Sequence, residues 1–409
     1  MSISRRSFVT SAAAAAAATA ARDVAWSKTG PTVPATDDPL GVRADFPVAA
    51  DRVYLNSAYI APVPRQVAAA GHAFVDSKAS RPIALGDMLR HTNEVRAQFA
   101  RLVNATPEEI GFLFATSEGE NVVAQSLRLT AGDNVVIDEL HYETEFVLYR
   151  QLERTRGIEL RIAKHRDGLV DVTDFEPLVD QRTKLVSVAW VSHQNGFRHD
   201  MRPISDLAHA HGALLYTDAI QAAGMVPIDV RAAGVDCLCC GTYKWLLGGF
   251  GVAPFFVRRE LLERITLDRY GALHVAHEGP NHTFDVYPTA RRFDYATLPF
   301  LEVYQLGAGL SYLERVGVTR IEEHTVSLAQ QLQRGLAGQG YRLFTPPGTR
   351  SSIVTYFFPG DPARVRSAFN SATIDVTVRD DSRQVRVSPA LFNTTDDVTR
   401  FLDVTKRLV

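Results

Sequence analysis

The stretch Leu214-Leu215-Tyr216-Thr217-Asp218-Ala219-Ile220-Gln221-Ala222 is an apolar run that stops on a carboxylate, with an amide three residues further on. Downstream, Cys239-Cys240-Gly241-Thr242-Tyr243-Lys244-Trp245-Leu246-Leu247-Gly248-Gly249-Phe250-Gly251-Val252 carries a lysine among apolar and aromatic neighbours into a glycine-rich turn. Working outward, short apolar runs recur at residues 110–115, 134–138, 185–191, 213–218, 236–240 and 252–257, with helical patterns such as 119–129 and 204–211 between them. Near-continuous apolar strands separated by helices predict a mostly parallel sheet covered on both faces. Ligands of such sheets sit beyond the carboxyl ends of the strands, which is where Asp218 falls. From about residue 300 the texture changes to long helical patterns at 302–316 and 320–338, strand-like pieces at 352–358 and 384–388, and a helix at 395–408. This second part reads as a smaller α+β domain.

Composition narrows the function classes. With 46% hydrophobic and 22% charged residues over 409 positions, the chain has material for large cores and is not a disordered protein. Lys+Arg 44 against Asp+Glu 46 gives a formal charge of −2, so there is no basic field to hold nucleic acid. The three cysteines, Cys237, Cys239 and Cys240, form neither a disulfide framework nor a zinc spacing and read as buried small hydrophobes; no metal site is expected. At the amino terminus, Ser4-Arg5-Arg6-Ser7-Phe8-Val9 precedes an alanine run and the small-residue pattern Ala18-Thr19-Ala20. A positive segment, a short apolar segment and an Ala-x-Ala-like site read as a signal peptide over 1–21, and the paired arginines specify the twin-arginine export machinery. A fraying Ala-rich helix is the blander alternative. Residues 22–50 read as a linker. The mature protein is expected to be periplasmic or secreted and to lack a membrane span, because no later stretch reaches the roughly 20 apolar residues a span needs.

Three groups of residues carry candidate chemistry. In Leu113-Phe114-Ala115-Thr116-Ser117-Glu118-Gly119-Glu120-Asn121, a strand turns into a helix, and a helix N-terminus seats phosphate. Taken alone, this group is better explained by ordinary capping by Thr116 or Ser117, and Glu118 and Glu120 would repel a phosphate unless turned away. Asp218 is a carboxylate at a strand end, or simply a helix cap. Lys244, 26 residues further, either snorkels to water or, held dry, becomes a neutral nucleophile. The Gly248-Gly249-Phe250-Gly251 run is no nucleotide-binding P-loop, because the lysine precedes the glycines. Together the three groups supply an anion seat, a partner for a pyridine nitrogen and an amine for a Schiff base, the parts a pyridoxal phosphate enzyme needs.

In this combination the sequence resembles the class V aminotransferase family of fold-type-I pyridoxal phosphate enzymes, over about residues 53–408. The resemblance implies an α/β fold: a large domain over 51–290 with a mostly parallel, seven-stranded-type sheet covered by helices, and a small C-terminal α+β domain over 291–409. It implies pyridoxal 5'-phosphate as cofactor, with Lys244 and Asp218 as catalytic groups. Thr116, Ser117 and Glu118 would lie at the phosphate, Tyr142 on the ring, Asn195 and Gln221 at ring oxygens, and Tyr243 beside the phosphate. Thr297, in Arg292-Phe293-Asp294-Tyr295-Ala296-Thr297, would reach the phosphate of a second subunit in a homodimer with shared sites. Arg386 would clamp a substrate α-carboxylate, with Asn56 and Ala58 nearby; bidentate guanidinium geometry suits that task. Arg198, Arg379 and Arg383 would suit a second acidic group or simply face solvent.

Desulfurases of this family carry a nucleophilic cysteine just before the carboxylate arginine. Here that loop, Thr377-Val378-Arg379-Asp380-Asp381-Ser382-Arg383-Gln384, has none, so sulfur transfer through a persulfide is not expected; Gly241-Thr242-Tyr243-Lys244-Trp245 and Asn195-Gly196-Phe197-Arg198 look closer to the isopenicillin N epimerase-like branch. The implied activity is that of an exported transaminase acting on an amino acid or amino-acid-derived metabolite. An epimerase or a C–S or C–X lyase is the alternative, and a non-catalytic ligand-binding descendant a further one. Replacing Arg5 and Arg6 together by lysine is expected to abolish export while leaving a folded, cofactor-bound protein in the cytoplasm. Cell fractionation checks this, and undiminished periplasmic delivery of the double variant would refute it.

Overall fold

The computed structural model describes residues 38–409. The expected signal segment, 1–21, and most of the expected linker lie outside these residues. Seven strands build the central sheet: β2 Ile110–Leu113, β3 Asn134–Asp138, β4 Glu159–Ala163, β5 Thr183–Ala189, β6 Leu214–Asp218, β7 Cys237–Cys239 and β8 Ala253–Val257. A short strand β1, Val53–Tyr54, precedes them. The order across the sheet is β2-β8-β7-β6-β5-β3-β4. Strands β7, β6, β5, β3 and β4 run parallel, while β8 is antiparallel to both β7 and β2.

Burial explains which strands the sequence announces. Every residue of β2, β3, β6, β7 and β8 is buried, so each reads as an unbroken apolar run. Strand β4, Glu-Leu-Arg-Ile-Ala, is the sheet's edge and partly exposed, so it alternates with charged residues and escapes that criterion. The three cysteines are free and buried, as their setting in an apolar run requires. Among the described residues no helix is long and apolar enough to cross a membrane.

The parallel register aligns the carboxyl ends of three central strands, with Ala189 beside Asp218 and Asp218 beside Cys239. At β7, Gly119 lets the helix Thr116–Ser126 press onto the strand, since a Cβ there would lie 2.5 Å from the Cβ of Cys239.

Beyond the large sheet, β9 Val275–Glu278 and β10 Phe284–Val286 form a hairpin. A second sheet is built from β11 Val354–Phe357, β14 Gln384–Val387 and β13 Thr377–Arg379, all antiparallel. The division of the chain differs from a cut at residue 291. Strand β1 pairs in parallel with β12, Ile374–Asp375, and Val53 and Leu55 join the core of the C-terminal sheet. Conversely, the helix Phe300–Val316 packs Val303, Leu306 and Leu310 into the core shared with Val95 and Phe99. Residues 38–409 thus pack as one compact unit.

Part of the expected linker is also packed structure. Phe46 is buried and stacks on Phe392 with ring centroids 4.5 Å apart, and Arg43 pairs with Asp397 at 2.7 Å. Burying one such phenyl ring contributes about 1.5–3 kcal/mol toward the cost of ordering this segment.

One buried ion pair ties the 290–297 segment to the sheet. Arg96 Nη2 bonds Asp294 Oδ2 at 2.6 Å with both side chains about 5% exposed or less, and Asp294 Oδ1 accepts the Phe112 N–H of β2 at 2.7 Å. Arg96 also donates to the Ile110 carbonyl. Removing one partner leaves a buried charge uncompensated, so Asp294→Ala is expected to lower unfolding stability by about 3–5 kcal/mol. The denaturant midpoint measures it, and a loss under about 1 kcal/mol would show that the pair is dispensable.

Candidate active site

A cavity of about 180 Å³ opens beyond the carboxyl ends of β5, β6 and β7. It is lined by Thr116 and Ser117, by Tyr142, by Asp218 and Gln221, and by Tyr243 and Lys244. Seven residues from four separate loops therefore converge on one wall-to-wall space, all of them named by the sequence.

Lys244 is buried, and its turn is pinned internally: Thr242 Oγ1 donates to the Gly249 carbonyl at 2.6 Å and the Gly248 N–H to the Thr242 carbonyl at 2.9 Å. Gly224, with φ +92°, lets the chain pass under this turn, because a Cβ there would lie 2.3 Å from the Trp245 carbonyl oxygen. Burial, and then the positive charge of Arg386, push the Lys244 amine down to about 7. Burial pushes the Asp218 carboxyl up to about 6, against the favourable Ile220 N–H bond at 2.8 Å and the Lys244 charge.

The anion seat is the N-terminus of Thr116–Ser126, whose N-cap residue is Ala115 with no capping side chain. Thr116 Oγ1 accepts the Gly241 N–H at 2.8 Å, which ties the seat to the lysine turn. The two carboxylates of this helix do not repel an anion. Glu118 turns away, accepting the Phe114 N–H at 2.6 Å and pairing with Arg269. Glu120 is fully buried, accepts from the Tyr149 hydroxyl, and is pushed up to about 8 by burial, so it is neutral at pH 7.

Tyr142 stands at the start of the helix Glu143–Arg156, 40% exposed, its ring T-shaped against His193 at 5.1 Å. Gln221 is braced at both ends of its amide, by the Ala58 carbonyl at 2.9 Å and the Trp245 indole at 2.8 Å. Tyr243 stacks on Phe250 at 4.6 Å. Asn56 accepts from Thr377 Oγ1 at 2.6 Å, and Ala58 N–H donates to Ser388 Oγ at 2.9 Å, so both fasten the N-terminal segment to the small sheet. Arg386 is buried, donates to the His193 carbonyl at 2.8 Å, and keeps its Nε without a partner.

Two residues, Glu118 and Asn195, lie elsewhere than the sequence reading put them, while Thr297, on the segment after Asp294, is exposed, as a residue reaching toward a second subunit would be. Glu118 faces Arg269 rather than the cavity. Asn195 does not line it: its amide donates to the Gly168 carbonyl at 2.9 Å and the Phe344 carbonyl at 3.3 Å, and its oxygen accepts the Phe197 N–H. The side chain that the 192–197 loop presents to the cavity is His193, paired with Glu143 at 3.4 Å and pushed down to about 4 by burial. His193 was legible only as a histidine shortly after a parallel strand; nothing in the sequence ranks it above Asn195.

Residues 53–401 match the family model described as aminotransferase class-V. The chain belongs to that family. A probable cysteine desulfurase of Methanothermobacter thermautotrophicus is 30% identical over 338 residues, covering 79% of this chain and 83% of that protein. The apo structure of a cysteine desulfurase from Thermococcus onnurineus superposes with a TM-score of 0.84 at 24% identity, covering 91% and 98% of the two chains. A mutant of the cystine C–S lyase C-DES with glycine covalently linked to its pyridoxal-phosphate cofactor superposes at 0.83 with 17% identity, covering 90% and 99%. These two structures share the fold. This class V enzyme uses pyridoxal phosphate, and its cavity suits that group: a buried amine, a carboxylate at a strand end and an uncapped helix terminus.

The depressed Lys244 amine makes a stability prediction with a definite sign. Between about pH 7 and its ordinary value of 10.5, the unfolded chain holds a proton on Lys244 that the folded one does not, so stability from this group rises with pH through that window. Asp218 acts oppositely, losing stability as pH rises from its ordinary 3.8 to about 6. Urea midpoints of the cofactor-free protein from pH 6 to 10 should therefore climb more steeply in wild type than in Lys244→Met. Equal slopes would mean the amine is not held dry.

Proposed function

We propose that this protein is an exported homodimeric enzyme that acts on the α-amino group and Cα–H of an amino acid, with transamination as its reaction. The observation that carries the reading is a buried lysine, with an amine that is neutral close to pH 7, sharing one cavity with Asp218 and neighbouring Arg386. Lys244 would hold the cofactor, Thr116 and Ser117 its phosphate, Asp218 a proton at the pyridine nitrogen, and Tyr142 one face of the ring. Bound there, pyridoxal phosphate supplies an electron sink for negative charge developing at Cα. Arg386 orients the α-carboxylate through paired N–H bonds. Lys244 Nζ, neutral, takes the Cα proton, and the apolar surroundings of its turn exclude water.

Return of that proton at a different carbon gives transamination, whereas departure of a β-substituent gives elimination. C–S cleavage is the second reading, favoured by the relative named a probable cysteine desulfurase. Against persulfide transfer, all three cysteines are buried in or next to β7, where burial pushes their thiols up, and the 377–384 loop contains none. The homodimer is supported by aromatic surface left bare around the cavity: Tyr59 is 47% exposed, and Phe250, stacked on Tyr243, is 58% exposed. Bare aromatic patches of this kind mark contact surfaces.

Borohydride reduction of the pyridoxal-phosphate-loaded protein should attach the label to Lys244, and Lys244→Ala should lose it. Incubation with L-amino acids and 2-oxo acids should then exchange amino groups; pyruvate and sulfide released without an oxo-acid acceptor would select the lyase instead. If sites are shared, the isolated heterodimer of Lys244→Ala and Thr297→Arg subunits should recover about half of the wild-type activity, because one of its two sites carries neither defect. No recovery in demonstrated heterodimers rejects sharing.

A further inference from the structure

Arg379 and Arg386 form a pair that the reaction above only half uses. They lie on neighbouring antiparallel strands, with Thr377 opposite Arg386 and Arg379 opposite Gln384. Residues two apart on one strand, and residues directly opposite each other, share a face, so both arginines stand on the same face of the small sheet. Their guanidinium groups meet at one point: Arg386 Nη1 and Arg379 Nη2 both donate to the His193 carbonyl oxygen, at 2.8 Å and 3.2 Å. Since both bond one atom, the two nitrogens are at most about 6 Å apart. His193 itself lines the cavity.

Among the described residues neither Arg386, which is buried, nor Arg379, which is half-buried, has a carboxylate within 4 Å, whereas Arg96, as buried as Arg386, has Asp294, and Arg198 has Glu322 at 2.7 Å. Arg379 makes its remaining bonds to the Gln194 carbonyl and the Gln384 amide oxygen, both long at 3.4 Å and both neutral. The neighbouring acid, Glu143, is engaged by His193 at 3.4 Å; its charge favours both arginines at a distance, but it lies within 4 Å of neither. Burial, followed by the charge of Arg379, pushes Arg386 down to about 9. Two partly desolvated cations side by side are costly unless an anion joins them. One α-carboxylate on Arg386 leaves Arg379 with its weak neutral contacts. Arg383, by contrast, reaches the Gly360 carbonyl on the exposed surface and takes no part.

We propose that the substrate carries a second anionic group that Arg379 binds, so that the enzyme's substrates are acidic amino acids, with a side-chain carboxylate or sulfonate. This rests on the amino-acid reading of the site and sets its specificity.

The test compares acids with their near-isosteric amides on the pyridoxal-phosphate-loaded enzyme: L-aspartate and L-cysteate against L-asparagine, and L-glutamate against L-glutamine. Calorimetric titration gives binding, and kcat/KM gives turnover. A site built to pair a charged group should favour the acids by roughly 10²-fold or more. Arg379→Met should lower binding and kcat/KM for the acids about 10²-fold while changing the amides by less than about 3-fold, and Arg379→Lys should recover part of the loss. Amides bound as well as acids, or an equal loss for both classes in Arg379→Met, would overturn the proposal and leave Arg379 a staple between β13 and the 192–197 loop. Binding of neither class, with Lys244 still labelled by borohydride, overturns the proposal together with the amino-acid reading. Failure of the Lys244 label overturns the cofactor assignment itself.

Discussion

Keeping the Lys244 amine dry and next to a buried carboxylate governs the architecture around it. A lysine on an ordinary surface turn stays charged and follows its stem to water. Here its turn lies between the parallel strand β7 and the antiparallel strand β8, and is closed by Thr242, Gly248 and the passage over Gly224. Asp218 ends the adjacent strand in register with Cys239, so the carboxylate and the amine are delivered to one cavity by backbone pairing rather than by flexible side chains. Burial moves their affinities for protons toward each other, the amine down and the acid up. That convergence is what a proton-transfer site operating near neutrality requires.

The same economy of charge extends to the anion seat. A helix N-terminus attracts phosphate, yet this one carries Glu118 and Glu120 in its first turns. One is cancelled by Arg269 outside the cavity, and the other is kept protonated by burial with Tyr149 as hydrogen-bond donor. Glu145 lies beside Glu120, also buried and raised, so this side of the site holds protonated acids instead of negative charge. The positive side is the small sheet, where Arg379 and Arg386 converge on the His193 carbonyl. The cavity therefore lies between neutralised acids and concentrated cations, a field suited to an anionic substrate and cofactor.

The amino-terminal strand joins these halves. Val53 and Leu55 are buried in the small sheet's core, Asn56 bonds Thr377, and the Ala58 carbonyl holds Gln221 on the large sheet's side. A shift of this segment would move the arginines relative to Lys244, so it sets distance across the site although it contributes no reactive group.

Periodicity and local chemistry were enough to announce the parallel sheet, the strand-end Asp218, the apolar setting of Lys244 and the strand-to-helix turn at Thr116, because strands buried on both faces leave unbroken apolar runs and ligands gather at their carboxyl ends. The edge strand β4 escaped because one side of it meets solvent. Other features depended on contacts between residues far apart in the chain. Asn195 is drawn out of the cavity by carbonyls of Gly168 and Phe344, which leaves His193 in its place. Phe46 finds Phe392, and so part of an apparent linker becomes core. Arg379, one of three arginines indistinguishable in the sequence, is set apart by strand register, which places it on the face of Arg386. The sequence by itself determined which backbone elements form and which reactive groups they end on. Only the tertiary structure decided which side chains of a loop turn inward and which acids hold protons, because those follow from desolvation and from hydrogen bonds made across the fold.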